Sequence, residues 1–400
     1  MRVLFGSYHN YLDFSSGAAI STHSTLKALV RNGWKVSVFN GPAFDATRFG
    51  DDPLQVIARQ INSSITVQRL KTTLDGQSIS FRFAKFNDSG IDATVFLPDE
   101  PQRRVSNNPI ALTKLFFHAF SQRIQEVSPE IFCTYGGEPR IVKLAQEARK
   151  RGTKTVFHLH NLAYRDRVLF DAFDAIVVPS TFAQKHYQNK LGVDSVVIPP
   201  LVEKDSVLVS QNAKRYITFV NPSIEKGRYF FIGLANELGK LRPEIPFLLV
   251  ESRDTTDSLK KSTTARSLTN LYRIDSTSEP RSFYELTKIL LVPSLCEESF
   301  GRVVVEAGVN GIPALCSNRG ALPEVCGIPQ TILPIPNRFH ACANFVPTEE
   351  ETRPWVEIIL RLWDNENYAT EIGSKLRRHI LQYSNSIVEA QTLDFYRRLV

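Results

Sequence analysis

Short apolar runs alternate with longer amphipathic stretches along most of the chain, which predicts strands and helices taking turns. Arg2 to Phe5 is such a run, closed by Gly6. A polar loop then leads to Ser16 and Gly17, and Ala18 to Val30 carries the spacing of a helix ended by Gly33. Lys35 to Phe39 alternates as a second strand, whereas residues 41 to 108 give weak, mixed signals with scattered Pro, Asp and Gly. Leu112, Leu115, Phe116, Phe120 and Ile124 recur at helical spacing and predict an amphipathic helix over Asn108 to Val127. Strands are predicted at Glu130 to Tyr135 (ending at Gly136 and Gly137), Thr153 to Asn161, Asp174 to Ser180 and Ser195 to Ile198. Between them lie helices from Pro139 to Lys150 and from Thr181 to Leu191. Leu201 to Asn212 is polar and unpatterned, a domain boundary. The alternation then resumes with strands at Tyr216 to Val220, Pro246 to Val250, Leu271 to Asp275, Lys288 to Val292 and Gly311 to Cys316. Helices are predicted from Gly227 through Leu241, Glu279 to Thr287, Gly301 to Val309, Trp355 to Trp363 and Ile372 to the end. Such alternation is the signature of doubly wound α/β domains.

Length makes two domains the expectation, because single cores stop growing near 250–300 residues and the chain has 400. A hydrophobic content of 42% with 22% charged residues is that of a globular protein, not a disordered one. The net charge of +7 fits an anionic ligand or a membrane surface. No Lys/Arg-rich run reads as a nucleic-acid arm, no apolar stretch approaches the ~18 residues of a membrane span, and Met1 to Gly6 lacks the layout of a signal peptide, so a cytoplasmic protein is expected. The helix over Asn108 to Val127, with Lys114 and Arg123, is read as docking on its sheet. Peripheral contact with the inner face of a membrane is the second reading. Five cysteines without C-x-x-C spacing are read as reduced and structural. His158 and His160 flank Leu159 but have no further ligands at zinc spacing, so no metal is expected.

The chemistry concentrates in Pro293 to Ala307, where a polar turn joins the run Lys288 to Val292 to the helix from Gly301. This stretch carries two carboxylates, Glu298 and Glu306, with seven residues between them. Gly301 lets backbone approach a ligand, and the N–H groups of a helix's first turn suit an anion such as a diphosphate. Glu306 lies about one and a half turns into the helix, so its carboxylate is placed differently from that of Glu298. Acceptors flanking a phosphate-seeking helix end suit a ligand with phosphates in the middle and hydroxyls at both ends, as a nucleotide sugar is.

Pro293-Ser294, Glu298, Phe300-Gly301-Arg302-Val303 and Glu306 together resemble the E-x(7)-E signature of retaining GT-B glycosyltransferases of the family-4 type, the glycosyl transferases group 1. The resemblance is strong over residues 155–330, moderate at the start and absent across 41–108. It implies a GT-B fold, two Rossmann-like doubly wound domains facing a central cleft. Residues 1–205 would form the amino-terminal, acceptor-side domain, 206–382 the nucleotide-sugar-binding domain and 383–400 a terminal helix crossing back to the first. By the same resemblance Lys226, beside Gly227, meets the donor diphosphate, Glu298 binds sugar hydroxyls and Glu306 ribose hydroxyls, and His160, followed by Asn161, faces the sugar. Phe300, Gly301, Arg302 and Val303 belong to the donor site, and Ser16 and Gly17 to an acceptor-side loop. Asn318 to Glu324 resembles the family's Gly-Gly-x-x-Glu segment. The chain also departs from the family. Asn221 stands where the family has an arginine, with Arg302 or Arg228 as substitutes; Pro199-Pro200 replaces Pro-Asn-Gly, and Glu251-Ser252-Arg253 replaces a Gly-x-Gly.

The expectation is therefore a metal-independent, retaining hexosyltransferase with no cofactor, using a nucleotide-diphosphate sugar as donor and a sugar-containing or small-molecule acceptor. Two alternatives stand beside it. One is a GT-B epimerase, phosphorylase or sugar-phosphate synthase, and the other a non-catalytic nucleotide-sugar-binding subunit, which the missing arginine at Asn221 favours. A nicotinamide oxidoreductase is set aside because no G-x-G-x-x-G follows the first strand.

Overall fold

The computed structural model describes residues 1–44, 52–74, 77–99, 110–136, 139–210, 213–252 and 270–400. Its first unit, Met1–Pro179 with Gln184–Leu201 and Val388–Val400, is built on one sheet. The strands are β1 (Arg2–His9), β2 (Lys35–Ala43), β3 (Thr66–Leu74), β4 (Gln77–Asp88), β5 (Ile91–Pro98), β6 (Ile131–Thr134), β7 (Lys154–His158), β8 (Ala175–Val178) and β9 (Val196–Val197). They lie in the order β3-β4-β5-β2-β1-β6-β7-β8-β9, antiparallel within β3-β4-β5 and parallel elsewhere. Val3, Leu4 and Phe5 of β1 are all buried, a continuous apolar run of the kind a parallel strand covered on both faces requires.

Helix α1 (Gly17–Arg31) returns the chain from β1 to β2, α2 (Pro53–Ala58) follows β2, and α3 (Ile110–Val127) and α4 (Pro139–Arg149) flank β6. Leu112, Phe116, Phe120 and Ile124 of α3 are buried in this unit. Helix α5 (Thr181–Leu191) follows β8. The predicted Asn108 start of α3 and the predicted Gly137 lie outside the described residues.

Two elements of this unit correct the sequence reading. Strand β1 does not stop at Gly6: the polar residues Ser7 to His9 stay in the ladder, pairing with Asn40 and Ala43 of β2. The region that gave no pattern holds α2 and the β3-β4 hairpin. Most side chains of β3 face solvent, which removes the apolar face. In β4 the alternation is broken by Arg82, buried because its guanidinium meets Asp52 at 2.8 Å.

The second unit, Ser180–Ala183 with Val202–Ile387, holds a parallel sheet of β10 (Tyr216–Val220), β11 (Phe247–Val250), β12 (Leu271–Ile274), β13 (Thr287–Val292), β14 (Ala314–Ser317) and β15 (Ile332–Leu333). Its order is β12-β11-β10-β13-β14-β15. The helices are α6 (Lys204–Val207), α7 (Arg228–Leu241), α8 (Arg281–Tyr284), α9 (Arg302–Val309), α10 (Leu322–Cys326), α11 (Glu349–Asp364) and α12 (Glu366–His379). A capping box of Thr348 and Glu351 starts α11. The supposedly unpatterned boundary contains the turn α6, and Val202 and Val207 enter the core of this unit. The helix expected up to Thr287 is only the single turn α8, because Thr287 opens β13. The last helix, α13 (Asn385–Leu399), places Val388, Leu393 and Tyr396 in the core of the first unit.

In each sheet the chain leaves its first strand on one side and later crosses to the other. In the first unit the chain leaves β1 toward β2 on one side and returns to β6 on the other; in the second it leaves β10 toward β11 and returns to β13. At such a switch point two loops diverge from the carboxyl ends of neighbouring strands, leaving a crevice where doubly wound sheets bind ligands. The loops concerned are 10–16 with 135–136 in the first unit and 221–227 with 293–301 in the second. Among the described residues, no helix is long and apolar enough to cross a membrane.

Candidate functional site

Strands β10 and β13 are neighbours, so the loops that leave them run side by side and are pinned together. The Leu295 and Cys296 amides both donate to the Glu225 carbonyl, at 2.9 and 3.1 Å. Gly227, with φ +95°, closes the first loop where a Cβ would stand 2.1 Å from the Pro293 carbonyl oxygen. Only glycine meets both conditions.

This pinning brings Lys226 and Glu298 together, although 71 residues separate them in sequence. The Lys226 ammonium donates to both carboxylate oxygens of Glu298, each at 2.7 Å. Ser294 Oγ donates to the same carboxylate at 2.5 Å. Burial pulls the Lys226 ammonium toward its neutral form, but the Glu298 carboxylate outweighs it and holds the lysine well above its ordinary range. Burial, and then the same carboxylate, pushes the Cys296 thiol up to about 12, so it stays protonated. Behind this group Gly320, at φ +64°, bridges the Glu298 backbone, where a Cβ would come within 2.3 Å of it.

Glu306 lies on α9 and is 8% exposed. Its Oε1 meets Arg302 Nε at 2.9 Å and its Oε2 accepts from Tyr284 Oη at 2.7 Å. Gly301, with φ +102°, is the N-cap of α9, and no side chain caps that helix. Val303, next to Arg302 in the first turn of α9, is half-buried. The Phe300 ring is buried edge-on against Tyr383, so Phe300 offers a ligand its backbone only.

The substitutes proposed for the family arginine are engaged elsewhere. Arg302 pairs with Glu306, and Arg228 is buried with Nε donating to the Pro222 carbonyl. Asn221 adopts φ +57°, a left-handed conformation that asparagine tolerates better than most residues. Its amide donates to the Val250 carbonyl at 2.9 Å, and its Oδ1 is buried without a hydrogen-bond partner among the described residues. Glu251 lies 3.7 Å from Arg273, while Arg253 is outside the described residues. Within the second unit, Glu324 accepts from the Thr181 and Phe182 amides at 2.9 Å each.

In the first unit Ser16 is the N-cap of α1, its hydroxyl accepting from the Ala19 amide, a structural task. Gly17 is exposed, and a Cβ there would touch nothing within 4 Å. His160 follows the end of β7, edge-on to Tyr135 at 5.6 Å and stacked on His158 at 6.2 Å. His158 in turn meets the Tyr396 hydroxyl at 2.6 Å, and burial lowers its pKa to about 4. A small pocket lies here between His158, His160, Ser21, Thr25, Pro199 and Thr392. Among the described residues no group of three or more His, Cys, Asp or Glu side chains could hold a metal ion.

Sequence reasoning missed Tyr284, Ser294 as a partner of Glu298, and Tyr396. None sits at a spacing that announces a ligand; each is found only through the long-range contact it makes.

Residues 203–335 match the family described as Glycosyl transferases group 1. A lipopolysaccharide 1,2-N-acetylglucosaminetransferase of Salmonella typhimurium is 24% identical over 210 residues, covering 46% of this chain. The match covers about half, 54%, of that relative's length. Among solved structures, Anabaena HepE in complex with UDP and glucose superposes with a TM-score of 0.69 at 15% identity, covering 99% of both chains. The catalytic domain of starch synthase IV from Arabidopsis thaliana, bound to ADP and acarbose, gives 0.67 at 13% identity, covering 100% of this chain and 99% of that one. These likenesses show that the two Rossmann-like units are those of the GT-B fold.

Proposed function

We propose, from the match of residues 203–335 to the glycosyl transferases group 1 family, that the chain is a retaining hexosyltransferase that moves a sugar from a nucleotide-diphosphate sugar to an acceptor hydroxyl without a metal ion. The observation that carries this reading is Lys226 bridging both oxygens of Glu298 at the β10-β13 switch point. A lysine so placed has a donor proton to spare beyond the two it gives Glu298. Removing one partner of a buried ion pair leaves the other charge stranded, at a cost of about 3–5 kcal/mol, so Lys226 leaves Glu298 only in exchange for another anion. A diphosphate supplies that anion, and Glu298 is then free to accept from sugar hydroxyls.

The departing diphosphate gains charge in the transition state, where Lys226 and the uncapped end of α9 meet it. Glu306 binds the ribose. Retention and the role of His160 rest on the family resemblance, with attack on the face the leaving group vacates. Relatives in solved complexes hold UDP or ADP, so UDP- and ADP-sugars are the first donors to test.

One observation favours a second reading, a non-catalytic nucleotide-sugar-binding subunit: Asn221 supplies no cation, and Arg228 and Arg302 are both committed elsewhere. A panel of nucleotide sugars is screened for thermal stabilisation, and each binder is then assayed for release of nucleoside diphosphate with and without candidate acceptors. Release that requires an acceptor supports transfer. Isomerised donor formed without one supports an epimerase, and binding without any turnover supports the subunit.

A further inference from the structure

The proposal that Glu306 binds the donor ribose leaves open how a flexible side chain is held ready for it. The structure answers with two groups from different elements. Tyr284, the last residue of α8, is fully buried, and its hydroxyl donates to Oε2 at 2.7 Å. Arg302, one turn before Glu306 on α9, meets Oε1 at 2.9 Å. Tyr284 approaches as a hydrogen-bond donor and Arg302 as a cation. Burial, and then the negative charge of Glu306, pushes the Tyr284 hydroxyl far above its ordinary range and keeps its proton in place.

A carboxylate has about four acceptor positions, two on each oxygen. With Tyr284 hydrogen-bonded to Oε2 and the Arg302 guanidinium in ion-pair contact with Oε1, the group is held at both oxygens, and each oxygen keeps an acceptor position. We propose that Tyr284 and Arg302 are positioning residues that orient Glu306 to accept two hydrogen bonds from a vicinal diol, making the site selective for ribonucleotide over 2′-deoxyribonucleotide donors. This inference rests on the reading of Glu306 as the ribose ligand. Neither residue need touch the nucleotide.

The test is the ratio of affinities for UDP and 2′-deoxy-UDP, measured by calorimetry on the full chain, with ADP and 2′-deoxy-ADP as the second pair. Wild type is expected to prefer the ribonucleotide. Tyr284→Phe removes one oxygen and keeps the ring, and it is expected to reduce that preference about tenfold, the worth of one hydrogen bond to a charged group. Arg302→Met frees Oε1 from a position nearer the surface and is expected to reduce the same ratio, so the proposal remains testable if Tyr284→Phe does not fold. In Glu306→Gln the Tyr284→Phe change is expected to have no further effect on the ratio, which a purely structural tyrosine would not produce. A wild-type preference unchanged in folded Tyr284→Phe or in Arg302→Met overturns the positioning proposal alone. No preference in wild type overturns the assignment of Glu306 as well.

Discussion

Glu298 is held twice, by Lys226 and by Ser294, and its charge is already spent before any ligand arrives. A sugar-binding carboxylate in that state differs from one that grips the nucleotide, and the difference is measurable. Glu298→Gln and His160→Ala are expected to lower turnover without weakening affinity for free nucleoside diphosphate, since neither is assigned to base, ribose or phosphate and the first frees Lys226 from its carboxylate. Equal loss of nucleotide and nucleotide-sugar binding in both variants would contradict this division. At this scale the sequence was informative about identity and silent about partners. Lys226, Glu298 and Glu306 are legible from a strand–turn–helix motif, but their mutual pairing depends on strand order, which no local pattern encodes. Phe300 illustrates the reverse: it belongs to the motif, yet the structure buries its ring against Tyr383.

Elements place these residues by crowding their backbones. Gly227→Ala would force a Cβ to within 2.1 Å of the Pro293 carbonyl at a φ of +95°, so the loops from β10 and β13 would have to part. The expected loss is more than about 2 kcal/mol, the sum of left-handed strain and steric conflict, read as the shift in urea midpoint; a variant as stable as wild type would show that the two loops are not pinned as described. A second element-level contact is Tyr396 of α13 on His158 of β7, at 2.6 Å. Burial lowers the His158 pKa from 6.5 to about 4, so between those values the unfolded chain binds a proton that the folded chain does not. Stability contributed by neutral His158 is therefore full above pH 6.5 and lost as pH falls toward 4. His158→Gln keeps an acceptor for Tyr396 without titrating. Between pH 7 and pH 4.5 wild type is expected to lose about 2–3 kcal/mol more than this variant, and equal losses would contradict it. Long helices and buried parallel strands were legible because one period dominates each. The β3-β4 hairpin was not, because one strand faces solvent and a buried Arg82–Asp52 pair interrupts the other.

Across the whole molecule, two doubly wound units of unlike legibility share one chain. In the second unit β10, β11, β13 and β14 were legible because they are apolar runs of a parallel sheet, whereas β15 was not. The first lost its antiparallel edge to mixed signals, and the boundary turn α6 was hidden in a polar stretch. The account's central claim is that the proposed transfer is catalysed with one lysine where the glycosyltransferases this chain resembles use two cations. It is tested most directly by the turnover number of Lys226→Ala at saturating donor and acceptor, followed as nucleoside diphosphate release. A cation that meets charge developing in the transition state contributes more to turnover than to binding, so the variant is predicted to fall by about two or more orders of magnitude while affinity for the nucleotide sugar changes much less. A wild-type protein inactive with every nucleotide sugar it binds, together with unchanged affinity in Lys226→Ala, would contradict the account and leave a binding subunit in its place.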